Sequence, residues 1–155
     1  MHVEQDFEEL LALFNRHDVR YCIIGAFALA LHARPRYTKD IDLLVDPIPA
    51  NAARILAALR EFGFASLNLT EQDFTRPGQI VQLGYEPVRV NIIAGIDGLP
   101  FGDLWERRVT APYGSTPASF ISLTDLIAAK KLSNRTQDRA DVEVLERVRS
   151  ARRKG

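Results

Sequence analysis

The chain has 155 residues, of which 46% are hydrophobic and 26% charged, a composition typical of a soluble globular protein rather than a disordered one. Lysine plus arginine and aspartate plus glutamate each number 20, and this zero net charge argues against a dedicated nucleic-acid or membrane-surface binder. Neither a secretory signal nor an apolar run long enough to span a bilayer is visible, so a cytoplasmic protein is expected.

The N-terminal part of the chain predicts a helix, a buried strand and a second helix in succession. Apolar residues recur at helical spacing and predict an amphipathic first helix: Phe7, Leu10, Leu11 and Phe14. The apolar run 21–24 predicts a buried strand that turns at Gly25 directly into a helix over 26–32, which Pro35 ends. Cys22 is the only cysteine, so an intrachain disulfide and a cysteine-based zinc site are excluded and an inert, buried thiol is expected.

Residues 39–46 alternate strictly in polarity, which predicts a strand with two distinct faces. One face carries Ile41, Leu43 and Val45, and the other carries Asp40, Asp42, Leu44 and Asp46. A proline-initiated helix follows this strand and ends at Gly63.

The second half of the chain places several strands close together before it ends in helices. Strands are predicted over 64–69, 80–85 and 88–93, with a tight turn at Glu86-Pro87 between the last two. A short helix near 101–107 and extended segments at 109–113 and 119–121 follow. Ser122 is suited to cap a helix that runs through Leu132, and a last helix begins at Thr136.

Together these elements predict an α/β (α+β) protein with a mixed β-sheet flanked by helices. We expect a single domain over residues 1–155, with its core over about 20–146. The N-terminal helix at about 4–16 and the C-terminal helices at about 122–150 complete it.

Two aspartates on the alternating strand are the first chemical signal. Asp40 and Asp42 are two residues apart, so they share a face, with Cα atoms roughly 6.6 Å apart. Their carboxylates can converge on shared cations, as in metal-assisted phosphoryl transfer. The pattern also occurs by chance, and an exposed edge strand would simply show both acids to water.

Gly25 supplies the second signal, because it lies where the buried strand meets a helix. Backbone N–H groups at such a helix start can receive a phosphate, and glycine lets the phosphate approach closely. A triphosphate held there and bridged by metal to Asp40 and Asp42 would form one coherent site. A plain strand-to-helix turn is the alternative.

In these segments the chain resembles the nucleotidyltransferase superfamily with the polymerase-beta-like fold, and within it small bacterial stand-alone members related to AbiEii-type toxins. The blocks that carry the resemblance are Gly25-Ala26, Arg36 with Thr38, Asp40-Ile41-Asp42, 89–98, 126–131 and 135–141. The resemblance implies Mg²⁺ (or Mn²⁺) as cofactor, with Asp40 and Asp42 as its ligands, and an NTP as substrate.

Two positions depart from the family pattern. Ala26 stands where relatives carry Gly or Ser, which still allows helix entry but removes a possible hydroxyl contact. Asn91 stands where relatives usually carry a third catalytic acid. An amide oxygen can bind Mg²⁺, but it brings no negative charge and is too weak a base to take a proton. Asp97, in a glycine-flanked loop, is a candidate substitute acid.

Several cationic and hydroxyl side chains near these motifs are candidates for nucleotide contacts. Lys130 is placed to neutralise developing phosphate charge, although a solvated helical lysine is the alternative, which is favoured for Lys131. Arg36 is a candidate to steer phosphate or to pair with a nearby acid. Thr38 is a candidate phosphate contact or a turn residue.

Other charged residues near the motifs are candidates for ion pairs. Arg89 has the same two alternatives as an arginine that steers phosphate or pairs with an acid. Asp138 and Asp141 share one helix face and are expected to pair with Arg135 or Lys130.

The leading hypothesis is therefore an enzyme that transfers a nucleoside monophosphate from an NTP to a hydroxyl acceptor in RNA, protein or a small molecule, with Asp40, Asp42 and Asn91 as its catalytic group. A second hypothesis, favoured by Asn91, is a catalytically weak binding or regulatory module that acts through a protein partner, for instance as part of a toxin–antitoxin pair. A glycosyltransferase and a dehalogenase-type phosphatase are weaker alternatives, because the chain is short for the first and lacks the expected Thr after Asp42 for the second. A homodimer or a protein partner is compatible with either leading hypothesis, and no membrane association is expected.

Overall fold

The computed structural model describes residues 4–36, 38–64, 67–84, 89–133 and 135–154. The helices of these ranges are α1 (Gln5–Arg16), α2 (Gly25–His32), α3 (Pro49–Phe62), α4 (Phe101–Glu106), α5 (Leu123–Ser133) and α6 (Thr136–Lys154). The strands are β1 (Tyr21–Ile24), β2 (Asp40–Val45), β3 (Ile80–Leu83), β4 (Arg89–Ala94), β5 (Val109–Tyr113) and β6 (Thr116–Phe120).

The six strands form one mixed sheet in the order β3-β4-β2-β1-β6-β5. β1 pairs antiparallel with β2 and parallel with β6, while β2 pairs parallel with β4. The antiparallel pairs β3–β4 and β5–β6 complete the two edges. This arrangement confirms the mixed sheet flanked by helices that the sequence predicts.

The alternation along β2 sorts its side chains onto the two faces as the sequence predicts. Ile41, Leu43 and Val45 join a buried cluster with residues of α1 and α3. Leu44 and Cys22 join a second cluster on the opposite face, with residues of α2, α4, α5 and α6. Burial raises the pKa of the Cys22 thiol to about 12, so the thiol is inert as expected.

Local signals set most element boundaries. Pro49 lies in the first turn of α3, and Gly63 ends that helix with a left-handed backbone at φ 112°. Ser122 accepts a hydrogen bond from the backbone N–H of Asp125 at 3.1 Å, which is the predicted cap of α5.

The strand predicted over 64–69 is wrong for the part of it that the structure describes. Residues 64 and 67–69 are not in a strand, and Asn68 has a left-handed backbone at φ 54°, which a strand does not accommodate. A short 3-10 helix, Glu71–Phe74, follows instead. The turn predicted at Glu86-Pro87 lies outside the described residues, between β3 and β4.

Within the described ranges, no helix combines the length and the apolar character that crossing a lipid bilayer requires.

Candidate active site at the β1–α2 turn

The topology brings the two predicted signals together at one end of the sheet. β1 ends at Ile24, which pairs in register with Asp42 of the antiparallel strand β2. Gly25 therefore begins α2 directly beside Asp42. The parallel strand β4 lies on the other side of β2, with Asn91 opposite Asp42 and Arg89 opposite Asp40.

Gly25 leaves the space that the Asp42 carboxylate occupies. Its backbone is left-handed, at φ 68°, which favours glycine. A Cβ atom built at Gly25 would lie closer than 3.0 Å to Oδ2 of Asp42, a separation that real Cβ atoms essentially never show. The sequence predicts that a phosphate approaches Gly25 closely. The structure shows that the Asp42 carboxylate lies close to Gly25 as well.

Asn91 faces the same side of the sheet as Asp42 and is hydrogen-bonded to it. The Asn91 amide nitrogen donates to Oδ1 of Asp42 at 2.9 Å. Gln82 of β3 pairs in register with Asn91, and its amide nitrogen donates to Oδ1 of Asn91 at 3.1 Å. Three polar side chains thus form a row across β3, β4 and β2.

Sequence reasoning missed Gln82. The alternation of Ile80, Val81, Gln82 and Leu83 was a signal for its face, since Val81 and Leu83 are buried and Gln82 is exposed. The register between β3 and β4 was not readable from the pattern alone, and that register decides which residue Gln82 meets.

Burial raises the pKa of the Asp42 carboxyl above its ordinary value, which the hydrogen bond from Asn91 opposes. The charge of Asp40 acts in the same direction as burial, while Arg135 and Lys130 lower the pKa. The ionised form of Asp42 is therefore costly, and a positive charge brought to it would be favoured.

A cleft of about 570 Å³ opens in front of Gly25 and Asp42. Ile80 and Ile93 form part of one wall, and α5 with the start of α6 contributes Lys130 and others to the opposite wall. The remaining lining residues are Ile24, Ile96, Asp97, Leu126, Ala129, Leu132, Ser133, Arg135 and Asp138. The candidate substitute acid Asp97 thus lies at the cleft, exposed on its loop.

Lys130 is buried rather than solvated, because α6 packs against α5 and presents two buried acids to it. Its ammonium lies 3.4 Å from Oδ1 of Asp138 and 2.9 Å from Oδ2 of Asp141. Arg135 pairs with Asp138 at 2.8 Å. These are the ion pairs that the sequence predicts for the two aspartates. Lys131 is exposed, as expected, and pairs with Glu146 at 2.8 Å.

Arg36 forms the ion pair that was one of its two predicted alternatives. Its guanidinium binds Asp141, which ties the segment before β2 to α6. Thr38 acts within the turn, where its hydroxyl oxygen accepts from the backbone N–H of Asp40 at 3.1 Å. Ala26 is the second residue of α2. Of the predicted nucleotide contacts, Gly25 and Lys130 line the cleft itself.

The described residues contain no group of three or more His, Cys, Asp or Glu side chains placed to hold a metal ion. At this end of the sheet, strand β2 carries two carboxylates, Asp40 and Asp42. Mg²⁺ is commonly bound by one or two carboxylates together with substrate phosphates, so hard oxygen donors of this number fit an ion that arrives with a nucleotide.

Comparison with known proteins shows the family of the chain. The profile of a family described as "Nucleotidyltransferase of unknown function (DUF6036)" matches residues 1–149. The chain belongs to this family, and the superfamily resemblance drawn from its sequence is thereby confirmed. No curated protein matches the chain by sequence.

Solved structures of other proteins share the fold. A Thermotoga maritima protein assigned to the nucleotidyltransferases superimposes with a TM-score of 0.61 at 19% identity, covering 96% of this chain and 91% of that one. The complex of ANT(2'')-Ia with adenylyl-2''-tobramycin gives a TM-score of 0.56 at 13% identity, with coverage of 96% and 95%. At these identities the likeness shows the fold.

Proposed function

We propose that the protein is a divalent-cation-dependent nucleotidyltransferase that transfers a nucleoside monophosphate from an NTP to a hydroxyl group. The observation that carries this proposal is the placement of Asp42 against Gly25, at the helix start and at the mouth of a cleft that Lys130 also lines. Membership in a nucleotidyltransferase family supports the same reaction class.

The triphosphate is proposed to bind at the N-terminus of α2. Ile24, the residue before this helix, makes no side-chain cap, and the first N–H groups of the helix follow Gly25, beside the cleft. Lys130 and Arg135 bring positive charge to the opposite wall. Asp138 and Asp141 hold these cations in fixed positions, which favours electrostatic stabilisation of the leaving phosphates.

Asp40 and Asp42 are proposed to hold the cation, Mg²⁺ or Mn²⁺. Bound there with the nucleotide, the ion would polarise the α-phosphate for attack. The two carboxylates orient the ion. Burial and the nearby charge of Asp40 raise the pKa of Asp42, so a positive charge beside Asp42 is favoured. Asn91 cannot serve as a general base because an amide does not take up a proton at neutral pH.

The acceptor is proposed to be a hydroxyl group that enters beside β3 and β4. Ile80 and Ile93 give this part of the cleft an apolar surface, suited to the hydrocarbon face of a ring. The solved complex of a fold relative contains an adenylylated tobramycin, so a polyhydroxyl small molecule is the first acceptor to test. RNA and protein hydroxyls remain the other acceptor classes.

A second candidate function is a binding module with little catalysis, for example in a toxin–antitoxin pair related to AbiEii. The specific observation in its favour is that the residue in the third-acid position, Asn91, is neutral and uses its amide nitrogen on Asp42. Under this proposal the fold would bind a nucleotide without turning it over.

Label transfer separates the two candidates. The purified protein is incubated with each of the four [α-³²P]NTPs, Mg²⁺ or Mn²⁺, and separate pools of aminoglycosides, tRNA and protein. The enzyme proposal predicts label on one pool, lost in Asp40→Asn and Asp42→Asn and retained in the surface control Lys131→Met. Nucleotide binding by calorimetry without transfer to any pool would establish the module instead.

A further inference from the structure

The hydrogen bonds in the polar row of Gln82, Asn91 and Asp42 all run one way, from Gln82 toward Asp42. Gln82 donates to the oxygen of Asn91, and Asn91 donates to Oδ1 of Asp42. The other oxygen of Asp42, Oδ2, lies against Gly25. Both oxygens of the carboxylate are therefore positioned by the protein, one by a hydrogen bond and one by packing.

We infer that Gln82 and Asn91 form a relay that holds the Asp42 carboxylate in its orientation without a cation, and that Gln82 is a positioning residue of the site. This role of Gln82 rests on the proposed function, in which Asp42 is a ligand of the nucleotide-bound cation. The relay itself is a geometric claim about the metal-free protein.

The chemistry of the two amides supports this assignment. An amide carries a donor and an acceptor at opposite ends, so Asn91 can turn either end toward Asp42. Turned with its oxygen toward Asp42, it would set two acceptors against each other. The ionised Asp42 carboxylate only accepts, so it selects the orientation in which the Asn91 nitrogen meets it, and the donor from Gln82 satisfies the Asn91 oxygen on the far side and supports that orientation.

A carboxylate in place of Asn91 would behave differently. With the same geometry, two carboxylate oxygens would lie at about the 2.9 Å separation now spanned by the Asn91–Asp42 hydrogen bond. Like charges at that distance require a cation or a shared proton between them. A carboxylate at position 91 would recruit a second cation. The Asn91 amide instead fixes Asp42 through a hydrogen bond before any cation binds. The site is therefore left with one cation, which comes with the nucleotide.

Two substitutions at Gln82 test the relay, because they differ in polarity. Gln82→Ala removes the donor, whereas Gln82→Glu replaces it with an acceptor of the same shape, which favours the reversed orientation of Asn91. We expect kcat to fall about tenfold in Gln82→Ala, with the KM for NTP unchanged, and to fall further in Gln82→Glu, in the range typical of residues that orient a metal ligand. Gln72→Glu, an exposed glutamine on the 3-10 helix, is the matched control and should leave both constants unchanged.

A measurement on the metal-free protein keeps the test independent of turnover. In ¹H–¹⁵N spectra recorded in EDTA, one of the two Asn91 side-chain amide protons should be shifted downfield by its hydrogen bond to Asp42, and this signal should move in Gln82→Ala and Gln82→Glu. Titration with Mn²⁺ alone should show tighter binding by Asn91→Asp, about tenfold or more, than by the native protein.

The outcomes separate the two proposals. If no NTP is turned over but the Asn91 signals respond to Gln82 as described, the relay stands and the enzyme proposal fails. If transfer is observed while both Gln82 variants match the control in spectra and in kcat, the relay is refuted and the enzyme proposal stands. Mn²⁺ binding that is equal in Asn91→Asp and the native protein would refute the claim that the Asn91 amide stands in place of a charge that recruits a second cation.

Discussion

At the scale of single residues, the candidate site depends on how the Asp42 carboxylate is positioned. Its carboxylate is partly buried, close to Asp40 and directly against a glycine with a left-handed backbone. Burial and the nearby charge both raise the pKa of Asp42, which identifies it as a group whose ionised form needs a partner. Asn91 supplies part of that partnership through its hydrogen bond, and the proposed cation would supply the rest.

Substitution of Gly25 tests the position of the Asp42 side chain directly, and substitution of Gly78 provides a matched control. Both have a left-handed backbone, at φ 68° and φ 77°, but nothing lies within 4 Å of a Cβ built at Gly78. Each alanine variant should lose about 1–2 kcal/mol of stability from backbone strain, measured by urea unfolding. Gly25→Ala should lose about a further 1–3 kcal/mol, because its methyl group displaces Asp42.

Activity should separate the two glycines even more clearly. Gly78→Ala should keep its label transfer, whereas Gly25→Ala should lose it, since both the phosphate approach and the Asp42 position are disturbed. Equal activity of the two variants would show that Asp42 need not lie against residue 25.

At the scale of elements, α5 and α6 form a charged wall for the cleft. Lys130, Asp138 and Asp141 are buried between the two helices, and Arg36 and Arg135 reach them from the margins. Breaking a buried ion pair leaves an uncompensated charge, which costs far more than losing an exposed pair. The wall is therefore expected to be rigid and sensitive to substitution.

Neighbouring lysines on α5 make this expectation measurable. Lys130→Met leaves Asp138 and Asp141 without their shared cation and should lower the free energy of unfolding by about 3–5 kcal/mol. Lys131→Met breaks only the exposed pair with Glu146 and should change it by less than about 1 kcal/mol. Chemical denaturation of both variants beside the native protein provides the measurement, and similar losses would refute the buried network.

The same network predicts a dependence of stability on acidity. Burial alone would raise the pKa of Asp138, but hydrogen bonds from Arg135 and Ser133 and the charge of Lys130 outweigh it and lower the pKa to about 2. An acid with a lowered folded pKa stabilises the protein above its unfolded pKa, and that contribution disappears as the pH falls. The loss should occur between about pH 4 and pH 2.

The variant Asp138→Asn isolates this contribution. It should be less stable than the native protein at pH 7, and the difference should shrink as the pH falls from 4 to 2, because the native acid becomes neutral too. Thermal melts across this range test it, with the exposed loop variant Asp97→Asn as control. A difference that stays constant down to pH 2 would contradict the lowered pKa of Asp138.

At the scale of the whole molecule, the local patterns predicted the sheet well because each pattern depends on near neighbours. The alternation of 40–45 assigned both faces of β2, and Gly25 marked the turn into α2. The strand predicted over 64–69 failed because apolar composition was read as strand while Asn68 takes a left-handed backbone.

Contacts between distant segments account for what the sequence did not provide. The pairing of Gln82 with Asn91 depends on strand register, and no local pattern specifies it. Lys130 and Lys131 look alike in sequence, and only the packing of α6 decides which of them is buried. The pair proposed to bind the cation could be picked out because Asp40 and Asp42 are near neighbours on one strand, whereas the contact of Gln82 with Asn91 could not.

The balance of charge over the whole chain bears on the acceptor. With 20 basic and 20 acidic residues, the molecule has no overall field to attract a polyanion. A protein that makes 6–10 phosphate contacts with a duplex loses affinity by about 10³–10⁵-fold between 50 and 200 mM salt. A small hydroxyl acceptor bound in the cleft makes no such set of contacts.

The salt dependence of acceptor binding therefore discriminates between acceptor classes. We expect the KM for the acceptor to change by less than about threefold between 50 and 200 mM KCl, because few mobile counterions are released on binding. The KM for NTP is measured in the same series, since the triphosphate brings its own salt dependence. A steep fall in acceptor affinity with a flat NTP response would instead identify a highly charged acceptor, either a nucleic acid or a polycationic amino sugar, and the separate label-transfer pools tell these two apart.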